Sequence, residues 1–284
     1  MSIVVTAASG NLGRLTVEAL LSRGVPAADI VTTSRDITRI KDFADRGVQV
    51  RRADFAEPDS LPAAFEGADK LLLISTTTPS ERVANHRRAI DAAVAAGVSM
   101  VAFTSMLHAD SSTTILAPTH WATEQYLHER IPYVMLRNSW YLENYTVQLP
   151  QVLSGGVLLG AAGQGRISAA TRADYAEAAA TVLSTDGHVG QTYELGGDEA
   201  FTLTELAAAI SAAAGKQIEY TDLPVEAFAR ALTEAGMPAD LAGVLSDADR
   251  AMSHDELYTE SSDLRKLIGR ATVTPAEAIA AALS

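Results

Sequence analysis

The segment Ile3 to Leu15, I-V-V-T-A-A-S-G-N-L-G-R-L, limits what this chain can fold into more than any other stretch, because an apolar run passes directly into a glycine-marked helix start. Ile3-Val4-Val5 suits an internal parallel strand, and a helical pattern opens a few residues later. Gly10 lets the backbone come close to a ligand, and Gly13 lets the first helix lie tightly on the sheet. Free N–H groups and the positive helix end at such a corner favour the phosphates of a dinucleotide, with Ala7, Ser9, Gly10, Asn11, Leu12 and Gly13 as the facing residues. One position departs from the G-x-x-G-x-x-G fingerprint. Ala7 stands where the first glycine belongs, and its Cβ is tolerable only if φ stays negative. A βα turn without a ligand is the plain alternative.

Through the first half, short β-rich runs alternate with longer Ala- and Leu-rich stretches, the signature of a parallel sheet covered by helices on both faces. The pattern predicts strands at 2–6, 29–33, 48–52, 69–74, 99–104 and 132–137. Helices are expected near 11–23, 37–46, 58–66, 79–97 and 119–130, closed by Gly24, Gly47, Gly67 and Gly97. After Asn138 the alternation breaks. The glycine-rich 150–168 reads as a loop excursion, followed by a helix at 172–185, a strand near 191–196, a helix at 203–214 and a strand near 217–221. The acidic 238–262 reads as helix-poor. The fold class is therefore α/β, a Rossmann-like doubly wound parallel sheet with a smaller mixed α/β C-terminal lobe. Residues 1–150 would form the dinucleotide domain, with 166–198 packing back on it, and 151–284 the smaller substrate-binding lobe.

The 284 residues, 48% of them hydrophobic, suffice for a real core. A formal net charge of -13 without a basic block disfavours nucleic acid. The absence of cysteine removes disulfides, thiolate metal sites and cysteine nucleophiles together, so redox chemistry must come from a cofactor. The six histidines lack H-x-x-x-H or H-E-x-x-H spacing, which leaves a metal site without support. With neither a signal peptide nor a membrane span readable, the expected location is cytoplasmic. A homodimer is compatible with the chain.

The end of the second strand, V-T-T-S-R-D-I-T-R, addresses the choice of nicotinamide cofactor. Arg35 stands where an arginine accommodates a 2′-phosphate, Arg39 follows one turn later, and Thr33 and Ser34 add hydroxyls. The reading favours NADP. NAD stays open because Asp36 adjoins Arg35, and both arginines also suit a solvated helix start. Asp54 and Phe55 after the third strand could flank an adenine, or serve as a turn residue and a core residue. The fourth strand ends in Ser75-Thr76-Thr77-Thr78, small hydroxyl residues past which a cofactor can run, with Thr104 on the neighbouring strand; Thr78 before Pro79 equally suits a helix opening.

With these residues in place, the chain resembles the atypical short-chain dehydrogenase/reductases, in particular the NmrA-like branch and its bacterial NADPH-dependent quinone oxidoreductases. The resemblance rests on A-A-S-G-N-L-G at 7–13, K-L-L-L-I-S at 70–75, T-S-M-L-H-A-D at 104–110, H-W-A-T-E at 120–124, L-R-N-S-W-Y-L-E-N-Y at 136–145, G-A-A-G-Q-G-R-I at 160–167, A-T-R-A-D-Y-A at 170–176 and Y-E-L-G-G-D at 193–198. Ala7 and Ser139 depart from it, each standing where the family more often has glycine. The resemblance implies an NADPH-dependent oxidoreductase for quinones or related flat aromatic carbonyl compounds. Other relatives tailor polycyclic aromatic intermediates of secondary metabolism by reduction or oxygenation, and others act as non-catalytic redox sensors that bind the dinucleotide and a protein partner.

The helix that would carry a Tyr-x-x-x-Lys pair reads His120-Trp121-Ala122-Thr123-Glu124 instead. Without that pair, protonating a strongly basic alkoxide is poorly served, which argues against simple ketone reduction. A quinone leaves phenolate-like oxygens, so positioning carries most of the work. The candidate catalytic residues are His120, Asn138 and Tyr141, with His120 a proton donor near neutral pH or a helix-start cap. Ser105, His108, Trp140, Tyr141 and Asn144 are the candidate substrate contacts, the aromatics by stacking and the asparagines by bonding oxygens. A packed aromatic corner is the alternative for Trp140, and a structural ion pair for Arg172 and Asp174.

Overall fold

A computed structural model describes residues 1–76 and 79–284. Thr77 and Thr78, read above as part of a hydroxyl-rich strand end and as a helix opening, lie outside the described residues. In chain order the first half forms β1 (Ile3–Val5), α1 (Asn11–Ser22), β2 (Ile30–Ser34), α2 (Lys41–Ala44), β3 (Gln49–Arg52), α3 (Leu61–Phe65), β4 (Lys70–Leu73), α4 (Arg82–Ala95), β5 (Met100–Met106), α5 (Ala117–His128) and β6 (Tyr133–Asn138). The second half adds α6 (Glu143–Thr146), α7 (Leu149–Gly155), β7 (Val157–Gly160), α8 (Arg172–Ser184), β8 (Thr192–Leu195), α9 (Leu203–Ala214), β9 (Glu219–Asp222), α10 (Val225–Glu234), α11 (Ala239–Met252), α12 (Asp263–Ile268) and α13 (Pro275–Leu283).

Among the described residues seven strands form one sheet in the order β3-β2-β1-β4-β5-β6-β8. Parallel β1 lies between β2 and β4, with Val4 opposite both Val31 and Leu71. Chain order reverses there, so the crevice above β1 and β4 is the switch point at which doubly wound sheets bind ligands. Side-chain alternation sorts the apolar strand residues between two faces. Val4, Val31, Leu71, Leu73, Val101, Phe103 and Met135 share one core cluster with Phe65 of α3, Ile90 and Ala93 of α4 and Leu127 of α5. The other face is covered by α1 and α8, which pack on each other. The Ala176, Ala178, Ala179 and Ala180 run of α8 is buried, and its small side chains allow a close approach. Gly24, Gly47, Gly67 and Gly97 all adopt positive φ, as expected of residues that end helices.

Two compact units are resolved. The first comprises 1–106, 119–138 and 172–193, and the second comprises 107–118, 139–171 and 194–284. From the sequence a boundary is expected at 150 with 166–198 packing back on the first part; the units themselves interleave, with 107–118 and 139–150 in the second and 172–193 in the first. In the second unit β7 and β9 form a parallel pair, α9 packs on α13, and α10 packs on α11. Capping boxes at Thr202/Glu205 and Thr274/Glu277 fix the starts of α9 and α13. Among the described residues no helix is long and apolar enough to cross a membrane.

Two expectations are corrected. The segment 150–168 contains α7 and β7. Its glycines end and pack these elements: Gly156 closes α7 at φ +72°, and a Cβ on Gly160 would lie 2.6 Å from Leu203 Cδ1. The segment 238–262 holds the 14-residue helix α11, opened at Pro238. Its Ala242, Ser246, Asp249 and Met252 face inward at helical spacing, which composition alone does not reveal.

The first βα corner brings a third correction. Ala7 takes φ +51°, a left-handed conformation, rather than the negative φ expected. The turn is held by Ala8 N–H donating to Thr33 O at 2.9 Å and Gly10 N–H donating to Ala7 O at 2.9 Å, so the surrounding structure imposes the strain. Gly13 is forced by contact instead. A Cβ there would sit 2.6 Å from Ala7 O and 2.8 Å from Ala8 Cα, both backbone atoms. We therefore expect Gly13→Ala to lower stability by about 1–3 kcal/mol through overpacking. Ala7→Gly should raise it by roughly 0.5–1 kcal/mol, the left-handed penalty less the entropy of the freer unfolded chain. Urea midpoints of the two variants moving in opposite directions are the check.

Candidate functional site

The corner opens onto a cavity of 310 Å³ lined by Ala7, Ser9, Gly10, Thr33, Ser34, Arg35, Arg39, Ala53, Asp54, Phe55, Ala56, Ser75, Thr76, Glu81 and Asn85. Eight of the twelve residues expected to hold a dinucleotide are among them. Of the other four, Asn11, Leu12 and Gly13 form the first turn of α1. Thr104 acts one layer back, its hydroxyl accepting from Ser75 N–H at 2.9 Å. Ala53, Ala56, Glu81 and Asn85 were not anticipated, since no local pattern marks them.

The geometry fits an anionic nucleotide. Gly10 caps α1 without any side-chain hydrogen bond, which leaves the helix start uncapped by side chains. Asp36, adjacent in sequence to Arg35, turns away from it: its carboxylate accepts from Thr38 N–H at 3.0 Å and from Thr38 Oγ1 at 2.6 Å. Those bonds hold its carboxyl below the usual range, with Arg39 contributing last. Among the described residues Arg35 has no carboxylate within ion-pair distance, and it is exposed at the cavity. Ser34 Oγ donates to Ser9 Oγ at 2.9 Å and joins the second strand end to the corner. Among the described residues Ser75 Oγ and Thr76 Oγ1 are buried without a hydrogen-bond partner. Such groups are costly unless something completes them.

The unpartnered set continues along the strand ends. Ser105 Oγ in β5, Asn138 Oδ1 at the end of β6 and Nδ1 of His120 on α5 are likewise buried without partners. His120 also packs beside Phe103, with ring centroids 5.9 Å apart. Burial, then the charge of Arg82, then His86 push its imidazole down to about 3. This burial favours the neutral imidazole at physiological pH and lends no support to an imidazolium donor role for His120.

Behind these atoms lies a network that sequence reasoning missed. Thr76 N–H donates to His86 Nε2 at 3.1 Å, so that nitrogen carries no proton. The proton is on Nδ1, which faces Thr123 Oγ1 at 3.0 Å, and the Thr123 hydroxyl donates onward to Thr119 O at 2.9 Å. Arg82 holds the carbonyl of the same residue, Nε donating to Thr76 O at 2.9 Å and an Nη to Thr119 Oγ1 at 2.9 Å. Both amide groups of Thr76 are thus clamped. Arg82 is 5% exposed, and desolvation lowers its guanidinium. The available signal was phase: Arg82 and His86 fall on the stripe of α4 that buries Ala89, Ile90 and Ala93.

The remaining candidates belong to the second unit. Trp140 and Asn144 line a small cavity of 20 Å³ with Tyr145, Gln148, Leu158, Leu159, Leu203, Phe228, Leu245 and Asp249. Tyr141 is half-buried and bridges to Ala170 in the parallel sense. His108 adopts φ +52°. Its N–H donates to Glu194 Oε2 at 3.1 Å, and its Nε2 faces Tyr258 O at 3.1 Å, which requires the proton on Nε2. Ser139 Oγ donates to Leu257 O at 2.9 Å, a use for the hydroxyl at a position where glycine was expected.

Burial of the two histidines sets an acid response. Their folded pKa lies below the unfolded 6.5, so the unfolded chain takes up protons first as pH falls. Their contribution is complete above about 6.5 and is lost as pH drops from there toward about 3. We expect His86→Gln to flatten the decline of unfolding free energy between pH 6 and pH 4 by up to about 1.4 kcal/mol per pH unit. Urea unfolding of the variant and the parent protein over that range is the measurement.

The NmrA-like family profile matches residues 1–268. Quinone oxidoreductase 2 of Escherichia coli strain K12 is 46% identical over 278 residues, 98% of this chain and 97% of that protein. The crystal structure of an NADPH-dependent quinone oxidoreductase from E. coli complexed with NADPH is similar with a TM-score of 0.97 at 45% identity, over 99% of this chain and 100% of that one. The triphenylmethane reductase of Citrobacter sp., complexed with NADP(H), gives a TM-score of 0.94 at 35% identity, over 99% of this chain and 100% of that one. The sheet order, the glycine-marked corner and these likenesses agree, and the chain belongs to the NmrA-like family.

Proposed function

We propose that this protein is an NADPH-dependent oxidoreductase that reduces quinones and related flat, conjugated acceptors. The observation that carries the reading is the corner cavity, lined by the uncapped start of α1, an unpaired Arg35, Ser75 and Thr76. Likeness to an NADPH-dependent quinone oxidoreductase supports it. Ala7, Ser9, Gly10, Asn11, Leu12 and Gly13 would take the pyrophosphate, Arg35 and Arg39 a 2′-phosphate, and Asp54 and Phe55 the adenine, while Thr104 holds Ser75, and His86 and Arg82 hold Thr76. When bound, the dinucleotide would supply hydride from its nicotinamide.

The chain's own groups explain why the acceptor is a quinone. Alpha helix α5 carries a neutral, buried His120 where a reductase of simple ketones needs a charged acid pair. A hydride acceptor whose reduced oxygens are phenolate-like does not generate a strongly basic alkoxide. Ser105 and Asn138 offer buried polar atoms awaiting a partner. Trp140, Tyr141 and Asn144, with His108, are the proposed substrate residues, the aromatics for ring stacking and Asn144 for an oxygen. A cytoplasmic location belongs to the same proposal.

Purified protein mixed with NADPH and a panel of quinones should consume the nicotinamide absorbance, and the absence of turnover across the panel would refute the reading. Arg35→Ala should raise KM for NADPH by roughly 10–100-fold and leave KM for NADH nearly unchanged, because a charge-assisted hydrogen bond to the 2′-phosphate is worth about 1.5–3 kcal/mol.

A further inference from the structure

One buried residue of the corner cavity comes from no strand end. Asn85 lies inside α4, is 6% exposed, and shares the buried stripe of that helix with Ala89 and Ile90. Asparagine is neither a good helix former nor an apolar filler, so burying one there costs stability unless its amide is used. The helix packs on α3 and on the turn Pro58–Ser60 that follows β3, the same strand end that supplies Asp54 and Phe55 to the cavity.

Half of that amide is used by the protein itself. Arg88, one turn further along α4, donates from one Nη to Asn85 Oδ1 at 2.8 Å and to Phe55 O at 3.3 Å. A guanidinium only donates, so the amide oxygen is the atom that faces Arg88, and the NH2 group is left over. Among the described residues nothing accepts from Asn85 Nδ2. Asp54 is half used as well: its Oδ1 accepts from Ala56 N–H at 2.9 Å, and among the described residues no group donates to its Oδ2. A donor and an acceptor thus remain on two residues that line one cavity and are joined through Arg88 and the backbone of Phe55.

We propose that Asn85 is a specificity residue for the base of the dinucleotide: its Nδ2–H donates to adenine N1, Asp54 Oδ2 accepts from the N6 amino group, and Arg88 is the positioning residue that fixes the direction of the amide. The proposal rests on the reading that Asp54 and Phe55 face the adenine. One edge of adenine presents an amino donor beside the N1 acceptor, the complement of this pair. Hypoxanthine and guanine reverse that edge, with an oxygen at C6 and a proton on N1. Against them the carboxylate meets an oxygen and the amide NH2 meets an N–H, so buried polar groups on both sides go unpaired. Selection of the base is thereby separate from selection of the 2′-phosphate by Arg35 and Arg39.

The test needs no turnover. Fluorescence titration gives Kd for NADPH and for its hypoxanthine analogue, reduced nicotinamide hypoxanthine dinucleotide phosphate, and the parent protein should prefer NADPH by at least about 10-fold. Asn85→Asp keeps an oxygen for Arg88 and exchanges the donor for an acceptor. It should weaken NADPH binding roughly 10-fold and bring the preference down to about 1 or below. Arg88→Met leaves every residue lining the cavity in place, and loss of the amide's orientation should lower the preference by about 3-fold or more. An asparagine with a merely structural role would weaken both ligands alike. A parent that binds the two ligands equally would overturn the proposal, as would an Asn85→Asp protein with the parent's preference. Should Asn85→Asp not fold, an unchanged preference in Arg88→Met would overturn it instead. A parent that binds neither ligand would overturn the dinucleotide reading and this proposal together, and the first titration shows it before any variant is made.

Discussion

Everything in the first unit depends on how closely the backbone of α1 lies against the strand that feeds it. Gly13 places its Cα where any side chain would meet the carbonyl of Ala7, and that carbonyl is held there by the Gly10 amide. The register of α1 over the sheet follows, and with it the aim of the helix start into the 310 Å³ cavity. Ala7 tolerates a left-handed backbone because the Ala8 amide is tied to Thr33 across the neighbouring strand and the corner has no room to relax. The strain is local. The contact that allows α1 to approach the sheet is required by the whole fold.

Charge is arranged against the composition of the chain. A net charge of -13 would repel a dinucleotide, so binding must be local. Asp36 spends its carboxylate on the Thr38 turn, which leaves the Arg35 guanidinium unneutralised. Arg82, buried beside Thr76, adds a second cation without a carboxylate partner among the described residues, and its field, added to desolvation, keeps His86 and His120 neutral. The second unit shows the opposite arrangement, with Asp249 protonated more readily than an exposed aspartate because its surroundings are apolar or acidic. Burial thus favours the uncharged forms of His86, His120 and Asp249, while Arg82 keeps its charge.

The sheet was legible because parallel strands buried on both faces leave near-continuous apolar runs, and Ile3-Val4-Val5, Leu71-Leu72-Leu73 and Val101-Ala102-Phe103 are such runs. Most of the lining of the corner cavity was legible for a related reason. Ligand-facing residues of a doubly wound sheet come from the turns after successive strands, so Ser9, Arg35, Asp54 and Ser75 could be found by counting strand ends. Helix α11 was missed because its buried side is built largely from alanine, serine and aspartate, which do not read as an apolar stripe. Position 7 was misjudged because φ is set by bonds to Thr33 and Gly10, which local preference does not contain.

The sequence by itself determined the alternation of elements, the glycine-marked corner, the choice of arginine after the second strand and the resemblance to the NmrA-like branch. Those properties lie in short windows, where side-chain type and spacing act directly on the backbone. Only the tertiary structure decided that Asp36 leaves Arg35 free, that His120 is neutral, that Arg82 and His86 clamp Thr76, and that Asp249 is an acid near neutrality. Protonation and pairing depend on which distant groups share a low-dielectric space, and that juxtaposition comes into being when the chain has folded.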